Sequence, residues 1–263
     1  AASDVYKRQV KNGVITENAE NALLQSGNGI SVFHPLKICW DNYEDVRMGA
    51  DIESIMKGYN DPRLSKYFQE SEYGEVGDKL HGARLGVNIT NKTNYVKLSA
   101  PNIFAETPVQ WMCAAEVYFL RAEGRLHGWN MGGEMEGLYN TGITKSFEQW
   151  GVSLGDYLTR GDEYKPVPFT APSGTTGSAV AASTITIAWN AVDRDEKKLE
   201  RIITQKWIAM FPEGQEAWSE YRRAGYPKLF NLYGTNASSG QVDASGPRRI
   251  PLPSTEYDTN TTE

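Results

Sequence analysis

Residues 108–128 read PVQWMCAAEVYFLRAEGRLHG, and residues 134–150 read EMEGLYNTGITKSFEQW. In the first stretch Trp111, Ala115, Tyr118, Phe119, Ala122 and Leu126 recur at spacings of three and four. That spacing lays them along one face of a helix. Pro108 suits the first turn and Gly128 ends the run. The second stretch carries its own stripe of Met135, Leu138, Tyr139, Gly142, Ile143, Phe147 and Trp150. Ala115, Ala122 and Gly142 are small, so two helix backbones approach closely there. Two amphipathic helices joined by the short Trp129–Gly133 loop predict an antiparallel hairpin. Such hairpins are the building units of α-solenoids. No regular tetratricopeptide period repeats elsewhere in the chain.

Further helices are expected on both sides of the hairpin. Residues 193–210 carry Leu199, Ile202, Ile203, Trp207 and Met210 as a buried stripe, with Asp193 and Glu196 spaced as an N-terminal capping pair. Pro212 opens a helix over 213–224, with Ala217, Trp218 and Tyr221, and Gly225 closes it. Upstream, residues 44–59 place Val46, Met48, Ile52, Ile55 and Met56 roughly on one side, until Asn60-Asp61-Pro62 stops the helix. Residues 63–69 add a short helical turn. Residues 14–30 begin with helical signals and reach a Ser26–Gly29 turn. Residues 70–107 are rich in Gly, Asn and Thr and read as loops, with short strands at 83–90 and 95–98. Residues 161–188 form a long loop of low charge with a strand at 184–188. The tail from Tyr226 holds several prolines and is expected to wrap the surface in extended form.

Composition limits the function. The 263 residues carry a net charge of -6, with 40% hydrophobic and 23% charged residues. That is a globular balance, enough to bury a large core. The acidic excess argues against nucleic acid as a partner. No run of about 18 apolar residues is present to cross a membrane as a helix. Three histidines and two cysteines make a Cys/His zinc cluster hard to build, and no motif calls for a cofactor or metal. The chain opens on Ala1 without a signal peptide, so it reads as a fragment, with residues 1–9 as non-native sequence. Cys39 follows a bulky Ile38 and no apolar run, unlike a lipidated cysteine.

Catalytic motifs fail on context. Gly151-Val152-Ser153-Leu154-Gly155 matches a nucleophile elbow, yet it follows a helix rather than a strand. His34, His81 and His127 all precede the serine, against the order the triad needs. Arg160-Gly161-Asp162 reads as a turn. Glu116 and Glu123 sit seven apart beside Arg121 and Arg125. Paired carboxylates can serve glycoside chemistry, but ion pairing between helices is the favoured reading. Arg222-Arg223 and Arg248-Arg249 are expected to hold carboxylates or carbonyls where the tail packs. Most aromatics fall on helix stripes. Trp40, Tyr43, Tyr73, Tyr95 and Trp129 fall in predicted loops beside Asn, Asp and Arg, where rings either pin a loop or stack on a sugar.

The linked strings resemble those of the SusD/RagB-like proteins. They include Ala114–Gly124, Gly128–Gly133, Leu138–Phe147, Ile203–Ala209, Gly214–Trp218, Arg222–Pro227 and Arg248–Pro253, with Asp61-Pro62-Arg63-Leu64 as a further match. They stand in order from about residue 40 to 260. The resemblance implies an all-α fold of tetratricopeptide-like helix pairs, with irregular loops and minor short strands. It reads residues 1–263 as the C-terminal portion of one such domain, without the lipidated N-terminus and first repeats. It further implies a non-catalytic outer-membrane lipoprotein that binds glycan, or sometimes peptide. Such a protein acts as a lid on a SusC-like TonB-dependent transporter. On that basis the candidate ligand-contacting residues are Trp40, Tyr43, Tyr73, Arg84 and Asn88. Gly82–Gly86 would bring backbone close to ligand, or simply turn. Two other classes remain: a scaffold that binds peptide on its solenoid face, and a glycan-cleaving enzyme with two facing carboxylates about 5–9.5 Å apart.

Overall fold

The computed structural model describes residues 13–27, 29–234 and 242–247, with Pro253, Thr255 and Thr259. The expectations for residues 1–9 and for Arg248-Arg249 lie outside these residues. The described chain is all-α with one small sheet. Its helices are α1 (Pro35–Tyr43), α2 (Ala50–Gly58), α3 (Leu64–Tyr67), α4 (Ala114–Leu126), α5 (Met135–Gln149), α6 (Asp195–Ala209) and α7 (Gly214–Ala224). Strands β1 (Ala22–Leu24) and β2 (Val109–Met112) pair antiparallel.

The α4–α5 hairpin forms as its stripes predict, and α6 packs onto both helices. Phe119, Ala122, Tyr139, Ile143, Phe147, Ile202 and Ile203 are buried in the shared core. Gly142 is what lets the hairpin close. A Cβ there would stand 2.9 Å from Cζ of Phe119, whose ring fills the groove left empty. At the turn, Gly128 and Gly132 take positive φ of 76° and 73°, which only glycine adopts without strain.

Several expectations need correction. The helix expected from residue 108 starts at Ala114, because residues 109–112 pair as a strand with β1, distant in sequence. A tertiary partner overrides local periodicity there. Trp111 therefore leaves the buried stripe and stands 68% exposed. Residues 14–30 form a short 3-10 turn at 18–20 and then β1, and Gly27 and Ile30 close the turn that follows. The helix expected over 44–59 begins at Ala50, while Met48 is buried in extended chain, its N–H on the Ser99 carbonyl. An unexpected helix, α1, opens on Pro35, with His34 Nδ1 accepting from Leu36 N–H. It buries no residue, so it carries no stripe to read. Residues 95–97 are a 3-10 turn, and Ala83 makes a single bridge to Gly49 rather than a strand over 83–90. Residues 184–188 form no strand either. The helix after the long loop is capped at Arg194, while Asp193 turns its carboxylate to Arg201 and Lys197.

The long loop is bound to the core by hydroxyls instead of a ladder. Tyr59 donates to the Ile185 carbonyl at 3.1 Å and Tyr139 to the Ile187 carbonyl at 2.7 Å. Ile185 and Ile187 drop into the core, and Val167 N–H meets the Ser54 carbonyl.

A buried charge pair joins these parts. Arg63 and Asp61 are both fully enclosed. Arg63 Nε and Nη2 donate to the two Asp61 oxygens at 3.0 and 2.5 Å, a bidentate pair. Nη1 donates to Ser146 Oγ of α5, and Nη2 also reaches Tyr157 and Gln205 of α6. Burial opposes the guanidinium charge, and Asp61 beside it more than compensates, so its pKa is raised.

Two stability outcomes follow. Arg63→Ala leaves Asp61 charged and unpaired in the core, and is expected to cost about 3–5 kcal/mol in urea unfolding. Gly142→Leu overpacks the Phe119 contact and is expected to cost about 1–3 kcal/mol in the same measurement.

Candidate ligand-binding face

The segment 91–97 gathers most of the candidate residues. It is held by its own side chains: Asn91 Oδ1 accepts from Thr93 N–H at 2.8 Å, and Val96 N–H meets the Lys92 carbonyl. Trp40, half-buried in the last turn of α1, lies under the Arg47 guanidinium, 3.9 Å from the ring centroid. Arg47 Nη2 donates to the Val96 carbonyl at 2.9 Å, and Nη1 to the carbonyls of Glu44 and Val46. Glu44 ends α1 in the left-handed conformation, with φ of 54°, and so brings Arg47 back over the helix. Tyr43 is 63% exposed, and its carbonyl accepts from Lys92 Nζ, which also pairs with Asp45.

Tyr73 reaches the same segment from the other side. Its hydroxyl donates to the Asn94 carbonyl at 2.9 Å, and burial raises its pKa above the usual phenol range. Asn94 Nδ2 donates to the Gly174 carbonyl at 3.0 Å, and Tyr95 meets Thr176 Oγ1 at 3.5 Å. The turn at 172–177 thus joins segment 91–97 to Arg84, whose Cγ would lie 2.6 Å from a Cβ on Gly177.

Arg84 is committed inward. It is 8% exposed, lies over the Phe230 ring at 4.6 Å and donates through Nη2 to the Asn231 carbonyl. Its Nε and Nη1 are buried without a hydrogen-bond partner. Asp51, beside it in the first turn of α2, accepts from Phe230 N–H at 2.6 Å. Burial pushes the Asp51 carboxyl up to about 6, against the pull of Phe230 N–H and Arg84. Asn88 is exposed on the same stretch of chain. The glycines approach protein backbone: a Cβ on Gly82 would strike the Met48 carbonyl at 2.7 Å, and one on Gly86 the Gly234 carbonyl at 2.4 Å.

The structure therefore brings Trp40, Tyr43 and Tyr73 to one segment and links Arg84 to it through the 172–177 turn. Trp40 and Tyr43 sit on a helix rather than in a loop. Sequence reasoning missed Arg47, the cation that fixes Trp40, and Tyr233, which is exposed beside Leu85 through a Tyr233 N–H to Leu85 carbonyl bond. The Arg47 signal was present in its closeness to Trp40 in sequence. Nothing in spacing points to Tyr233.

Trp129 lies elsewhere, in a cleft of about 660 Å³ shared by α4 and α7. Glu116 and Glu123 also line it. Glu123 is held by both oxygens, at 2.7 Å each, by Arg223 Nη1 and Nη2. Glu220 pairs with Arg223 and with buried Lys206, as expected for ion pairs between helices. Burial raises the Glu116 carboxyl to about 7, against the attraction of Lys206. Ser153 is exposed in the turn that ends α5, where Gly151 N–H meets the Glu148 carbonyl. Arg160 donates to the carbonyls of Tyr59 and Asn60. Among the described residues no group of three or more His, Cys, Asp or Glu is arranged to hold a metal ion, and no helix is long and apolar enough to cross a membrane.

Comparison with known proteins fixes the class. The family model described as SusD-like, Susd and RagB outer membrane lipoprotein, matches residues 2–263. A SusD homolog from Bacteroides thetaiotaomicron is 39% identical, with a TM-score of 0.88, over 99% of this chain and 54% of its own. A SusD homolog from Bacteroides uniformis is 40% identical, with a TM-score of 0.89, over 99% of this chain and 55% of its own. A chitin-binding SusD homolog from Flavobacterium johnsoniae is 40% identical, with a TM-score of 0.85, over 95% of this chain and 51% of its own. No curated protein matches the chain. The chain belongs to the SusD-like family of outer membrane lipoproteins. It spans about half the length of the solved relatives.

The Asp51 environment gives a pH signature. Its folded pKa lies above the usual 3.8, so its contribution to stability is complete below that value and is lost as pH rises through about 6. Asp51→Asn is expected to remove this decline, up to roughly 3 kcal/mol. The difference in urea midpoint between variant and parent, followed from acid to neutral pH, reads it directly.

Proposed function

We propose that the protein to which this chain belongs captures an oligosaccharide at the cell surface and leaves it chemically unchanged. Stacking on the Trp40 and Tyr73 rings supplies affinity, and polar groups around segment 91–97 supply orientation. The observation that carries the reading is that Trp40 through Arg47, Tyr43 through its carbonyl and Tyr73 through its hydroxyl all reach segment 91–97. A 40% identical relative is described as chitin-binding, which supports a glycan as ligand. Captured oligomer is then delivered to a TonB-dependent barrel of the SusC type, with this protein as its lid. Arg84 and Asn88 act at the edge of the face, Arg84 by holding the Phe230–Asn231 chain in place.

A non-catalytic role agrees with the state of the carboxylates. A glycosidase keeps two of them free across the scissile bond. Here Glu123 spends both oxygens on Arg223.

A glycan array followed by calorimetry tests the reading. Trp40→Ala is expected to weaken binding of the best glycan about tenfold, near 1.4 kcal/mol, with the melting temperature nearly unchanged. Equal losses of binding and stability would assign the ring to packing, and an array without any bound glycan would sink the proposal. Co-purification with a barrel partner from outer membranes tests the delivery step.

A further inference from the structure

His81 stands where the loop carrying Tyr73 meets the chain carrying Arg84. The loop closes on itself, with Ser71 N–H on the Lys79 carbonyl at 2.7 Å. Ser71 Oγ donates to the Tyr73 carbonyl and accepts from Tyr73 N–H. The next residue, Gly74, takes φ of 82°. A Cβ there would overlap the Asp78 carbonyl oxygen and stand 2.6 Å from His81 Nε2. Tyr73 is thus one residue away from a three-way contact whose third member is the His81 ring. On the other side Gly82 N–H donates to Glu53 Oε2 at 2.6 Å, and Arg84 follows two residues on.

The ring is approached at both nitrogens. Nε2 lies 3.0 Å from the Asp78 carbonyl oxygen, and Nδ1 lies 3.2 Å from Glu53 Oε1. A carbonyl oxygen only accepts, so the single proton of a neutral ring belongs on Nε2. Nδ1 then turns a lone pair toward a carboxylate, and it is buried without an aligned hydrogen bond. A second proton, on Nδ1, changes that contact from repulsion to attraction. The Glu53 side chain is 7% exposed and that of His81 14%, so water screens the contact little. Among the described residues, the charged groups facing the ring are Glu53 and Lys57 of α2 and Asp78 of the loop. Lys57 Nζ bonds Glu53 Oε1 at 2.9 Å and Asp78 Oδ1 at 2.6 Å, spanning the same gap. Ser99 adds only a neutral hydroxyl, which accepts from His81 N–H.

We propose that His81, protonated at both ring nitrogens, is a positioning residue that locks the Tyr73 loop to α2 and to the chain leading to Arg84. Loss of the Nδ1 proton loosens this junction and with it the aim of the Tyr73 ring. The effect on ligand rests on the glycan-capturing reading, whereas the lock itself does not.

The test uses the full chain from about pH 5.5 to 8, the range in which imidazole exchanges its proton. Amide hydrogen exchange of residues 72–82, corrected for its intrinsic pH dependence, reads the lock without ligand. NMR of the His81 ring follows its proton. Protection is expected to fall as pH rises, in step with the ring. His81→Gln keeps a donor toward Asp78 but gains no charge, so its protection is expected not to change with pH. Glu53→Gln offers Nδ1 an amide donor instead of a carboxylate, so protection is expected to persist at the alkaline end. Asp51 titrates in the same window and is intact in both variants, so the slope that the variants remove is the one that counts. Affinity of the parent for the best array glycan is expected to fall at least about threefold across the range, and that of Glu53→Gln to stay level. Parent protection that does not change with pH, or a decline that survives in either variant, overturns the lock. The parent profile decides alone where a variant does not fold. A lock that titrates while glycan affinity stays level overturns the positioning role. A face that binds no glycan at all sinks the capture reading and leaves the exchange profile to decide the lock, so the two fail separately.

Discussion

Arg63 and Asp61 fix the register of elements that share one apolar core, the turn after α2 against α5 and α6. A buried ion pair is stabilising only when geometry and hydrogen bonding offset the loss of water. Here the guanidinium has its fork filled by Asp61, a third donor on Ser146, and Tyr157 and Gln205 within reach. Phe147 lies 4.5 Å beneath the plane, and its ring adds a cation–π contact. One side chain thus ties the turn after α2 to α5 and α6. The adjacent Tyr67 extends the tie, its hydroxyl donating to the Ile208 carbonyl and its ring stacking on Phe211.

That junction lets irregular chain behave as a rigid surface. Loops lack ladders, and their buried polar groups still need partners. In this molecule tyrosine hydroxyls and arginine donors supply them. Tyr59 and Tyr139 bind the 185–187 chain, Arg47 binds Val96, Arg84 binds Asn231 and Arg160 binds the end of α2. Each bond joins a side-chain donor to a backbone carbonyl of a segment distant in sequence. The same residue types that suggest ligand binding in the sequence therefore serve first as fasteners. Arg84 illustrates the ambiguity, since its cation is used within the protein.

The hairpin was legible because a helix stripe records burial on one face. Gly142 was legible for the same reason, a small residue inside a row of large ones. The two strands were not. Val109–Met112 has the composition of a helix start, and its partner lies far away at Ala22–Leu24, so no local window holds the information. Helix α1 was missed for the opposite reason. It buries nothing, and only Pro35 marks it. On the candidate face, the choice of Trp40, Tyr43 and Tyr73 rested on ring chemistry in a polar context, and the structure places all three at segment 91–97. The sequence did not reveal that Trp129 belongs to a different concavity, because membership depends on how α7 returns against α4. It also could not give the depth at which Glu116 is buried, which raises its carboxyl and is a property of the packed cleft.

The role of Arg47 bears on how tightly such a face can bind. A ring that must be immobilised on binding loses roughly 0.5–1.5 kcal/mol of rotamer freedom. Trp40 has that freedom removed beforehand, because the guanidinium above it is tied to three backbone carbonyls. The cation also covers one face of the ring, so a pyranose can use only the other. A single-faced platform favours a chain that runs across it over a ring enclosed on both sides.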